Sequence, residues 1–554
     1  MQPPLRQRNG THPALCKLSG CSKGKPQVMK PGEEMQQNTT GPPLCSWNLA
    51  STTDFSRPTS LRESFISVFA GGAMKYSSTR GGAEGTDFEG VLFSGYAPDG
   101  GLFMPEEIPL LDSNTLRAWS TFSYPQLVKE LCSLFISPEL IPRQDLNDLI
   151  DRAFTRVRHK DVVHLSRLRN GLNVLELWHG VTYAFKDLSM SCTGQFLQYF
   201  LKKRKKHITI LVGTAGDTGS SAIESVRGEK NMDIIVLLPK GLCSQMQELQ
   251  MTTVIEENVH VFAADGNSDE IDEPIKELFA NTDFARKHNL MSLNSINWSR
   301  IMVQIAHHFY AYFQCTTSLD ITPLPTVEII VPTGGGGNLT AGYIAKKMGL
   351  PIQLIAVVNS NDIIHRAVQH GDFSLLGNVQ STLASAMDIQ DPYNMERIFW
   401  LLSDADSGLI KTLMEQFCMS KSLKLPEELH RKLSEVLSSC SVSDEDIIQA
   451  MRRCWEDNHY LLCPHSAVAV HYHYKQLDSQ LNNTPRCCLA SASAAKFQDA
   501  VLKARLVPEE PPELKALQEM ETRSIALTRE EDWAKIIKDK IEAIAKRRSL
   551  QESI

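Results

Sequence analysis

Short runs of aliphatic and β-branched residues alternate with segments of helical periodicity through the middle of the chain. Runs of this kind are typical of parallel strands that are buried on both faces. They predict strands at residues 207–213, 233–239, 259–263, 327–332 and 352–358. Between the strands, apolar residues recur at three- and four-residue spacing, as over 339–348. This alternation predicts an α/β fold of parallel sheets with helices on both faces.

The two ends of the chain have different patterns. Residues 1–73 are rich in Pro, Gly, Ser, Thr, Gln and Lys and lack sustained periodicity, so they cannot bury enough apolar surface to offset the entropy of ordering. We therefore predict a disordered extension there. Helical spacing over 124–136 and 145–157 predicts a small helical domain at 74–165.

The last segment, residues 516–554, is predicted to be a helical tail. Thr528 and Glu531 match a capping box, which marks the start of a helix. Apolar residues follow at helical spacing, namely Trp533, Ile537, Ile541 and Ile544. This pattern predicts an amphipathic terminal helix that packs against the rest of the protein. Residues 166–515 then remain as the main domain.

Composition narrows the class of protein. The chain has 554 residues, 42% of them hydrophobic and 22% charged, which is ordinary for a globular protein. A net charge of −7 argues against a nucleic-acid-binding surface, and no apolar run reaches the length of a membrane-spanning helix. The 13 cysteines lack CxxC pairs, which favours free thiols in a reducing compartment. We expect a cytoplasmic protein, with mitochondrial targeting by residues 1–73 as the alternative.

One lysine lies in a setting that suits chemistry. Lys186 is followed by Asp187 and preceded by aromatic residues, among them Tyr183 and Phe185. Such surroundings can remove water from an amine and favour its neutral, nucleophilic form, as Schiff-base chemistry requires. A lysine on the surface of an amphipathic helix would give the same local pattern, so the lysine alone does not decide the function.

Two glycine-rich loops leave predicted strands and lead into predicted helices. The first contains Thr-Ala-Gly-Asp-Thr-Gly at 214–219, and the second has four consecutive glycines at 334–337. Backbone N–H groups at a helix start form an anion site, and glycine lets the backbone approach a ligand. Neither loop has the full GxGxxG spacing of a dinucleotide site or the P-loop pattern. An activated lysine followed by two phosphate-capable loops suggests pyridoxal 5'-phosphate (PLP).

Longer motifs resemble those of the threonine synthase family. They are Glu-Leu-Trp-His-Gly-Val-Thr-Tyr-Ala-Phe-Lys-Asp at 176–187, the loop at 214–219, Gln-Glu-Leu-Gln-Met-Thr-Thr at 247–253, Asn-Ser-Ile-Asn-Trp-Ser-Arg at 294–300, Ala-Met-Asp at 386–388 and Ala-Lys-Phe at 495–497. The resemblance runs from residue 74 to about residue 510 and is greatest to the vertebrate branch of the family. It implies a fold-type II PLP enzyme with a core like that of the tryptophan synthase β-subunit and two parallel-sheet lobes.

The resemblance also implies roles for individual residues. Lys186 would be the catalytic residue and would form the Schiff base with the cofactor. The other cofactor-binding residues would be Gly334, Gly335, Gly336, Gly337, Asn338 and Ser491, with Ser491 facing the pyridine nitrogen. The substrate-binding residues would be Thr214, Gly216, Asp217, Thr218, Gly219 and Arg300. Lys496 is a further candidate for holding a leaving phosphate, and no metal site is expected.

Several positions depart from the biosynthetic pattern of the family. Val181 replaces a proline, Ala215 a serine and Ser493 a histidine, and the run of glycines at 334–337 lacks a bulky phenylalanine. Loss of that wall and of the histidine would impair the controlled addition of water that makes threonine more than it would impair elimination. The resemblance to the vertebrate branch implies a catabolic phospho-lyase.

The expected reaction releases phosphate from β- or γ-phosphorylated amino acids. O-phosphothreonine or O-phosphohomoserine would give 2-oxobutanoate, ammonia and phosphate. Two alternatives stay open: a threonine synthase acting on O-phosphohomoserine, and a PLP-binding signalling protein without turnover. Small phosphorylated amino acids are the expected partners, without nucleic acid or membrane, and the sequence does not choose between a monomer and a homodimer.

Overall fold

A computed structural model describes residues 73–479 and 484–552. The predicted disordered extension lies outside these residues except for its last position. The strands are β1 (Tyr76–Ser78), β2 (Phe103–Pro105), β3 (His164–Arg167), β4 (Asn173–Glu176), β5 (Ile208–Gly213), β6 (Met232–Pro239), β7 (Val259–Ala264), β8 (Leu290–Ser292), β9 (Val327–Pro332), β10 (Ile352–Val358), β11 (Leu437–Ser441), β12 (Arg486–Ala490) and β13 (Ile525–Leu527).

Helices connect and cover these strands. The helices are α1 (Phe88–Leu92), α2 (Ser113–Trp119), α3 (Tyr124–Phe135), α4 (Arg143–Phe154), α5 (Lys186–Arg204), α6 (Asp217–Val226), α7 (Gln245–Thr252), α8 (Glu273–Ala280), α9 (Thr282–Lys287), α10 (Trp298–Cys315), α11 (Gly337–Lys347), α12 (Ile363–His370), α13 (Met395–Leu402), α14 (Ser407–Ser420), α15 (Glu427–Val436), α16 (Asp444–Asn458), α17 (Pro464–Ser479), α18 (Gln498–Lys503), α19 (Pro512–Ala516) and α20 (Trp533–Glu552). None of the helices in the described ranges is long and apolar enough to cross a bilayer.

The strands form two large sheets, as the sequence predicts. The first has the order β11-β10-β9-β12-β4-β3, and the second has the order β13-β7-β6-β5-β8. All pairings are parallel except that of β3 with β4. Every residue of β5 and β6 is buried, because helices cover both faces of the sheet. The α/β architecture with two sheets is confirmed.

The predicted elements in the middle of the chain form at the expected places. Each of the predicted strands appears with ends shifted by at most one residue. These short runs of aliphatic residues have no polar face, so they form buried strands and not amphipathic helices. The region expected to be small and helical contains α1–α4 but also an antiparallel pair, β1 with β2. Local pattern misses this pair because each strand has only three residues.

The carboxyl-terminal segment differs in two details from the prediction of a helical tail. It contributes β13, which pairs with β7 at the edge of the five-stranded sheet. The terminal helix begins at Trp533, where the carboxylate of Asp532 accepts the N–H of Lys535 at 2.9 Å. Thr528 and Glu531 do bond to each other, but in the turn that precedes the helix. The expected apolar face is buried, with Ile537, Ile541 and Ile544 in one core cluster.

The carboxyl ends of the strands bring together the segments that the sequence singles out. Residues 214–219 follow β5, residues 334–337 follow β9 and Ser491 follows β12. Lys186 begins α5, after the loop that follows β4. The carboxyl edge of parallel sheets is the usual place for a ligand site, because successive loops converge there.

Candidate active site

Lys186 occupies the first turn of α5, where neighbouring backbone fixes its position. The preceding residue, Phe185, donates its N–H to the carbonyl of Ser491 at 2.7 Å. Ser493 donates its N–H to the carbonyl of Tyr183 at 3.1 Å. These bonds attach the loop before α5 to the end of β12. Lys186 and Ser491 therefore line the same pocket although they are far apart in sequence.

Asp187 organises this loop and does not pair with the lysine amine. Its carboxylate accepts the N–H and the hydroxyl of Thr182 and the hydroxyl of Ser221, each at 2.7 Å. Gly180 is required beside it, because an added Cβ would lie 2.4 Å from the Asp187 side chain. The His-Gly turn and the Lys-Asp pair of the motif at 176–187 are thus parts of one packed loop.

The lysine amine faces a different carboxylate, that of Asp217. Lys186 Nζ lies 3.8 Å from Asp217 Oδ2, and Lys496 Nζ lies 2.6 Å from Oδ1. Burial lowers the pKa of Lys186 to about 8, against the opposing effect of Asp217 and with the added effect of Arg300 and Lys496. At pH 7, roughly one amine in ten is then neutral. The site provides the reactive form of an amine near neutral pH.

Asp217 stays ionised in spite of its burial. Burial by itself would raise the pKa of Asp217, but Lys496 and Lys186 outweigh it and hold the pKa well below its usual range. Gln247 also donates a hydrogen bond to Oδ1 at 2.9 Å. Lys496, a predicted candidate for holding a leaving phosphate, is fully buried and already paired with Asp217. Its charge therefore fixes the carboxylate that faces Lys186.

The loop at residues 214–219, which we call the aspartate loop, bonds largely to itself. Thr214 Oγ1 accepts the N–H of Gly216 at 2.9 Å and that of Gly219 at 2.8 Å. Gly216 has a positive φ of 128°, and an added Cβ would lie 2.4 Å from Gln247. Thr214, Asp217 and Thr218 line the pocket, whereas Gly216 and Gly219 shape the turn behind it.

We call the four glycines at 334–337 the glycine cradle. Unlike the aspartate loop, the cradle does not use its backbone N–H groups in hydrogen bonds of its own. Gly336 has a φ of +82° and precedes α11. Within the described ranges, the backbone N–H groups of the cradle donate to no protein acceptor. At Gly335 an added Cβ would meet only the Tyr393 ring, at 3.9 Å, which leaves the backbone open toward the pocket. Free N–H groups at a helix start suit a phosphate.

Asn338 directly follows the cradle, and its side chain contacts two adjacent histidines. His308 Nε2 lies 2.8 Å from Asn338 Oδ1, and Asn338 Nδ2 lies 3.2 Å from His307 Nδ1. Burial lowers the pKa of His307 to about 3 and that of His308 to about 4, so both rings are neutral. Adjacent positions would usually face apart on a helix, yet the Asn338 side chain reaches both rings.

Arg300 supplies a buried positive charge to the same pocket. It is 2% exposed, and its Nη1 donates to the carbonyl of Leu293 at 3.0 Å. Among the described residues no carboxylate forms an ion pair with it, and its Nε has no hydrogen-bond partner. Burial lowers the pKa of Arg300 to about 10, so the charge persists at pH 7. An unpaired buried cation is costly, and a bound anion would offset that cost.

Other residues of the pocket carry no sequence motif that would have identified them. They are Asp269, Asp272, Gln304, Tyr393 and His465. Burial raises the pKa of Asp272 to about 7, with Asp269 and Asp391 adding to the shift and Lys276 opposing it. These side chains lie far from Lys186 in sequence, so only the fold brings them to it. No group of three or more His, Cys, Asp or Glu residues in the described ranges could hold a metal ion.

The site fits pyridoxal 5'-phosphate on its own chemistry. It combines a lysine amine of lowered pKa, a cradle of free backbone donors that side chains would fill, and Ser491 at the end of β12. Fold and site together define a PLP-dependent enzyme of fold type II. A family profile described as "Pyridoxal-phosphate dependent enzyme" matches residues 157–490. Two further profiles match, "Threonine synthase N terminus" at 75–154 and "Threonine synthase, C-terminal" at 466–539.

The chain belongs to the threonine synthase family. It is 69% identical over 474 residues to "Threonine synthase-like 2" of Pongo abelii, covering 86% of this chain and 98% of that protein. The Homo sapiens protein of the same name is 69% identical over 473 residues, covering 85% and 98%. The threonine synthase of Saccharomyces cerevisiae is 36% identical over 455 residues, covering 77% and 88%.

Solved structures agree with this family. The crystal structure of threonine synthase from yeast matches with a TM-score of 0.76 and 34% identity, covering 84% of this chain and 98% of that chain. A PLP-bound threonine synthase from Brucella melitensis gives the same TM-score and identity, covering 85% and 99%. The expected resemblance, the fold type and the cofactor are confirmed.

Proposed function

We propose that this protein is a phospho-lyase that uses PLP to eliminate phosphate from small β- or γ-phosphorylated amino acids. In the net reaction, O-phosphothreonine or O-phosphohomoserine and one water give 2-oxobutanoate, ammonium and phosphate. The bond from carbon to the phosphate oxygen breaks, the α-proton leaves its carbon, and water releases the nitrogen. No oxidant or reductant is needed.

The observation that carries this proposal is the presence of two separate places for an anion in one pocket. The glycine cradle offers neutral backbone donors, which suit the cofactor phosphate. Arg300 offers a buried charge without a carboxylate partner among the described residues. A phosphorylated amino acid brings a second phosphate to the pocket, whereas an unphosphorylated one brings only its carboxylate. Arg300 offers a charge for the phosphate of such a substrate in addition to the donors of the cradle, and this is the basis of the proposal.

In this proposal Lys186 has two tasks. Its amine would hold the cofactor through the aldehyde, and the same Nζ, when free and neutral, would remove the α-proton of the substrate as a general base. The bound cofactor supplies the electron withdrawal that makes this proton acidic. Asp217, held by Lys496, lies 3.8 Å from Nζ and stabilises the ammonium that forms on proton transfer. Ser491, which lines the pocket, would give the pyridine nitrogen a neutral partner.

Elimination is favoured over threonine synthesis by the shape of the cradle. Gly336, which lines the pocket, stands where the family pattern has a bulky phenylalanine, so no side chain forms a wall at that position. Making threonine requires a water molecule to be directed onto one face of Cβ. An open wall gives less control over that step, while departure of phosphate needs only the base and the anion site.

A product assay tests the proposal. The full chain is loaded with PLP and incubated with O-phosphothreonine or O-phosphohomoserine, and phosphate, 2-oxobutanoate and threonine are measured together. We expect phosphate and 2-oxobutanoate in equal amounts from at least one substrate. Threonine as the main product would favour the synthase. A bound cofactor without product from either compound would favour the non-catalytic alternative.

Two matched variants separate the residues in this scheme. Lys186→Ala should abolish both turnover and the cofactor adduct that borohydride fixes to the protein. Arg300→Met should keep that adduct but raise KM by roughly 10- to 100-fold, as expected for loss of a hydrogen bond to a charged group. An adduct that persists in Lys186→Ala would refute the assignment of the lysine. An unchanged KM in Arg300→Met would refute the second anion site.

A further inference from the structure

His465 lies in the first turn of α17 and lines the same pocket as Lys186. Its side chain is buried, and its ring packs against Phe497 with centroids 4.6 Å apart. Ala386 donates its backbone N–H to His465 Nε2 at 3.0 Å. Because Nε2 accepts this bond, the neutral ring carries its proton on Nδ1. The contact with Ala386 thus fixes both the tautomer and the direction of the ring.

The Nδ1–H of His465 has no acceptor among the described residues. An unpaired buried donor costs stability, so it calls for an explanation such as a ligand. Three residues that line this pocket have an unpaired buried polar atom: the donors Arg300 Nε and His465 Nδ1, and the acceptor Gln304 Oε1. These residues come from two different helices, α10 and α17. Imperfect packing at one place in the structure would therefore not account for all three unpaired atoms.

We propose that His465 is a ligand-contacting residue whose Nδ1–H donates a hydrogen bond to an oxygen anion bound in the Lys186 pocket. The neighbouring loop supports this placement, because the Ala386 carbonyl would lie 3.3 Å from a Cβ added to Gly334 in the cradle. His465 is thus bonded to a loop that borders the cradle, and it lines the same pocket. It offers a neutral donor, which orients an oxygen without adding charge beside Lys186.

Other charges near the ring agree with a neutral donor. Burial lowers the pKa of His465 to about 4, with Asp217 opposing the shift and Lys186 and Lys496 adding to it. The ring therefore stays neutral at the pH values around 8 at which Lys186 titrates. The oxygen could belong to the cofactor or to the substrate, and both sources share the same chemistry. The inference rests on the PLP site of the proposed function and adds a residue to it.

The two nitrogens of the ring can be tested separately. Asn places its amide N–H near the position of Nδ1, and Gln places its amide near the position of Nε2. His465→Asn thus keeps a donor toward the pocket, whereas His465→Gln keeps a partner for Ala386 and loses that donor. His473→Gln is the matched control, since His473 is a buried histidine of the same helix outside the pocket.

Binding is measured without relying on turnover. Apo-protein is titrated with PLP by absorbance, and holo-protein is titrated with O-phosphothreonine by the change in the same band. We expect His465→Gln to weaken one of these affinities by roughly 10- to 100-fold, with His465→Asn and His473→Gln close to wild type. Loss in the first titration assigns the oxygen to the cofactor, and loss in the second alone assigns it to the substrate. Unchanged affinities in His465→Gln, or equal losses in His465→Gln and His465→Asn, would overturn the proposal.

A measurement on wild-type protein covers the case in which a variant fails to fold. In protein labelled with ¹⁵N-histidine, the Nδ1 proton of His465 should move downfield when PLP or O-phosphothreonine is added. A resonance that stays in place through both additions would overturn the proposal. These binding readouts can fail while phosphate release is still observed, so the outcome is distinct from that of the product assay.

Discussion

The aspartate loop and the glycine cradle look alike in sequence but do opposite things in the structure. Both leave a parallel strand, turn on glycines and start a helix. In the aspartate loop, Thr214 accepts two of the backbone N–H groups, and Asp217 places a negative charge at the pocket. In the cradle, the N–H groups donate to no acceptor among the described residues. One loop places a carboxylate 3.8 Å from the Lys186 amine, where it opposes the lowering of the lysine pKa by burial, and the other presents free N–H groups that suit an anion.

This difference shows that glycines alone do not make a phosphate site. What matters is whether the N–H groups are free and whether a carboxylate lies nearby, since an ionised Asp217 would repel a phosphate. From the sequence alone, both loops are predicted to be able to bind a phosphate. Substitutions in the aspartate loop should therefore affect stability and the pKa of Lys186. Substitutions in the glycine cradle should affect cofactor binding.

The largest expected effect is that of Asp217→Asn in the aspartate loop. It would leave the ammonium of Lys496 buried without a carboxylate. Breaking a buried ion pair in this way costs about 3–5 kcal/mol, so the free energy of unfolding of the apo-protein should fall by that order in denaturant titration. The double variant Asp217→Asn with Lys496→Met should regain much of the loss. A single variant within about 1 kcal/mol of wild type would show that the pair is not coupled as described.

Gly216→Ala should have the next largest effect on stability. It combines a positive φ of 128° with a Cβ placed 2.4 Å from Gln247. Positive-φ backbone costs about 1–2 kcal/mol and overpacking about 1–3 kcal/mol, so we expect a loss of roughly 2–5 kcal/mol by thermal or denaturant unfolding. Gly228→Ala is the control, because it has a positive φ of 76° and no neighbour within 4 Å. Equal losses in the two variants would exclude the contact with Gln247.

Gly335→Ala should separate cofactor binding from stability. The nearest atoms to its Cβ belong to the Tyr393 ring, at 3.9 Å, so the apo-protein should unfold at the wild-type temperature. The added methyl would occupy space in front of the free N–H groups and weaken PLP binding by roughly tenfold or more. Absorbance titration of apo-protein measures this. Wild-type affinity in Gly335→Ala would show that the cofactor phosphate lies elsewhere.

The smallest effect concerns the pH dependence of cofactor loading. The pKa of Lys186 is lowered to about 8, so the neutral amine increases as pH rises through that value. The initial rate at which the PLP absorbance band appears should grow about tenfold from pH 7 to pH 9 and then level off. Free Nα-acetyl-lysine, as a reference, should keep accelerating to about pH 10. A protein profile that follows the free amine would contradict the lowered pKa.

Residues of the site differ in how far sequence could identify them. Lys186 and the cradle are local patterns in contiguous residues, so the sequence locates them without knowledge of the fold. His465 is not part of any motif that we recognised in the sequence. It lies in α17 and is held toward the pocket by the hydrogen bond from Ala386. Lys496, a candidate for holding a leaving phosphate, pairs with Asp217, and nothing in the sequence predicts that pair. A pairing between residues so far apart in sequence leaves no local trace.

The amino-acid sequence by itself determined the parallel strands, the helices between them, the lysine and the two glycine loops. These depend on hydrophobic periodicity and on the small number of backbone shapes that glycine permits, which are local properties. Only the tertiary structure decided which loop keeps its N–H groups free, which carboxylate faces Lys186, and which histidine joins them. Hydrogen-bond partners, burial and the resulting pKa values depend on distances between elements, and folding alone fixes those distances.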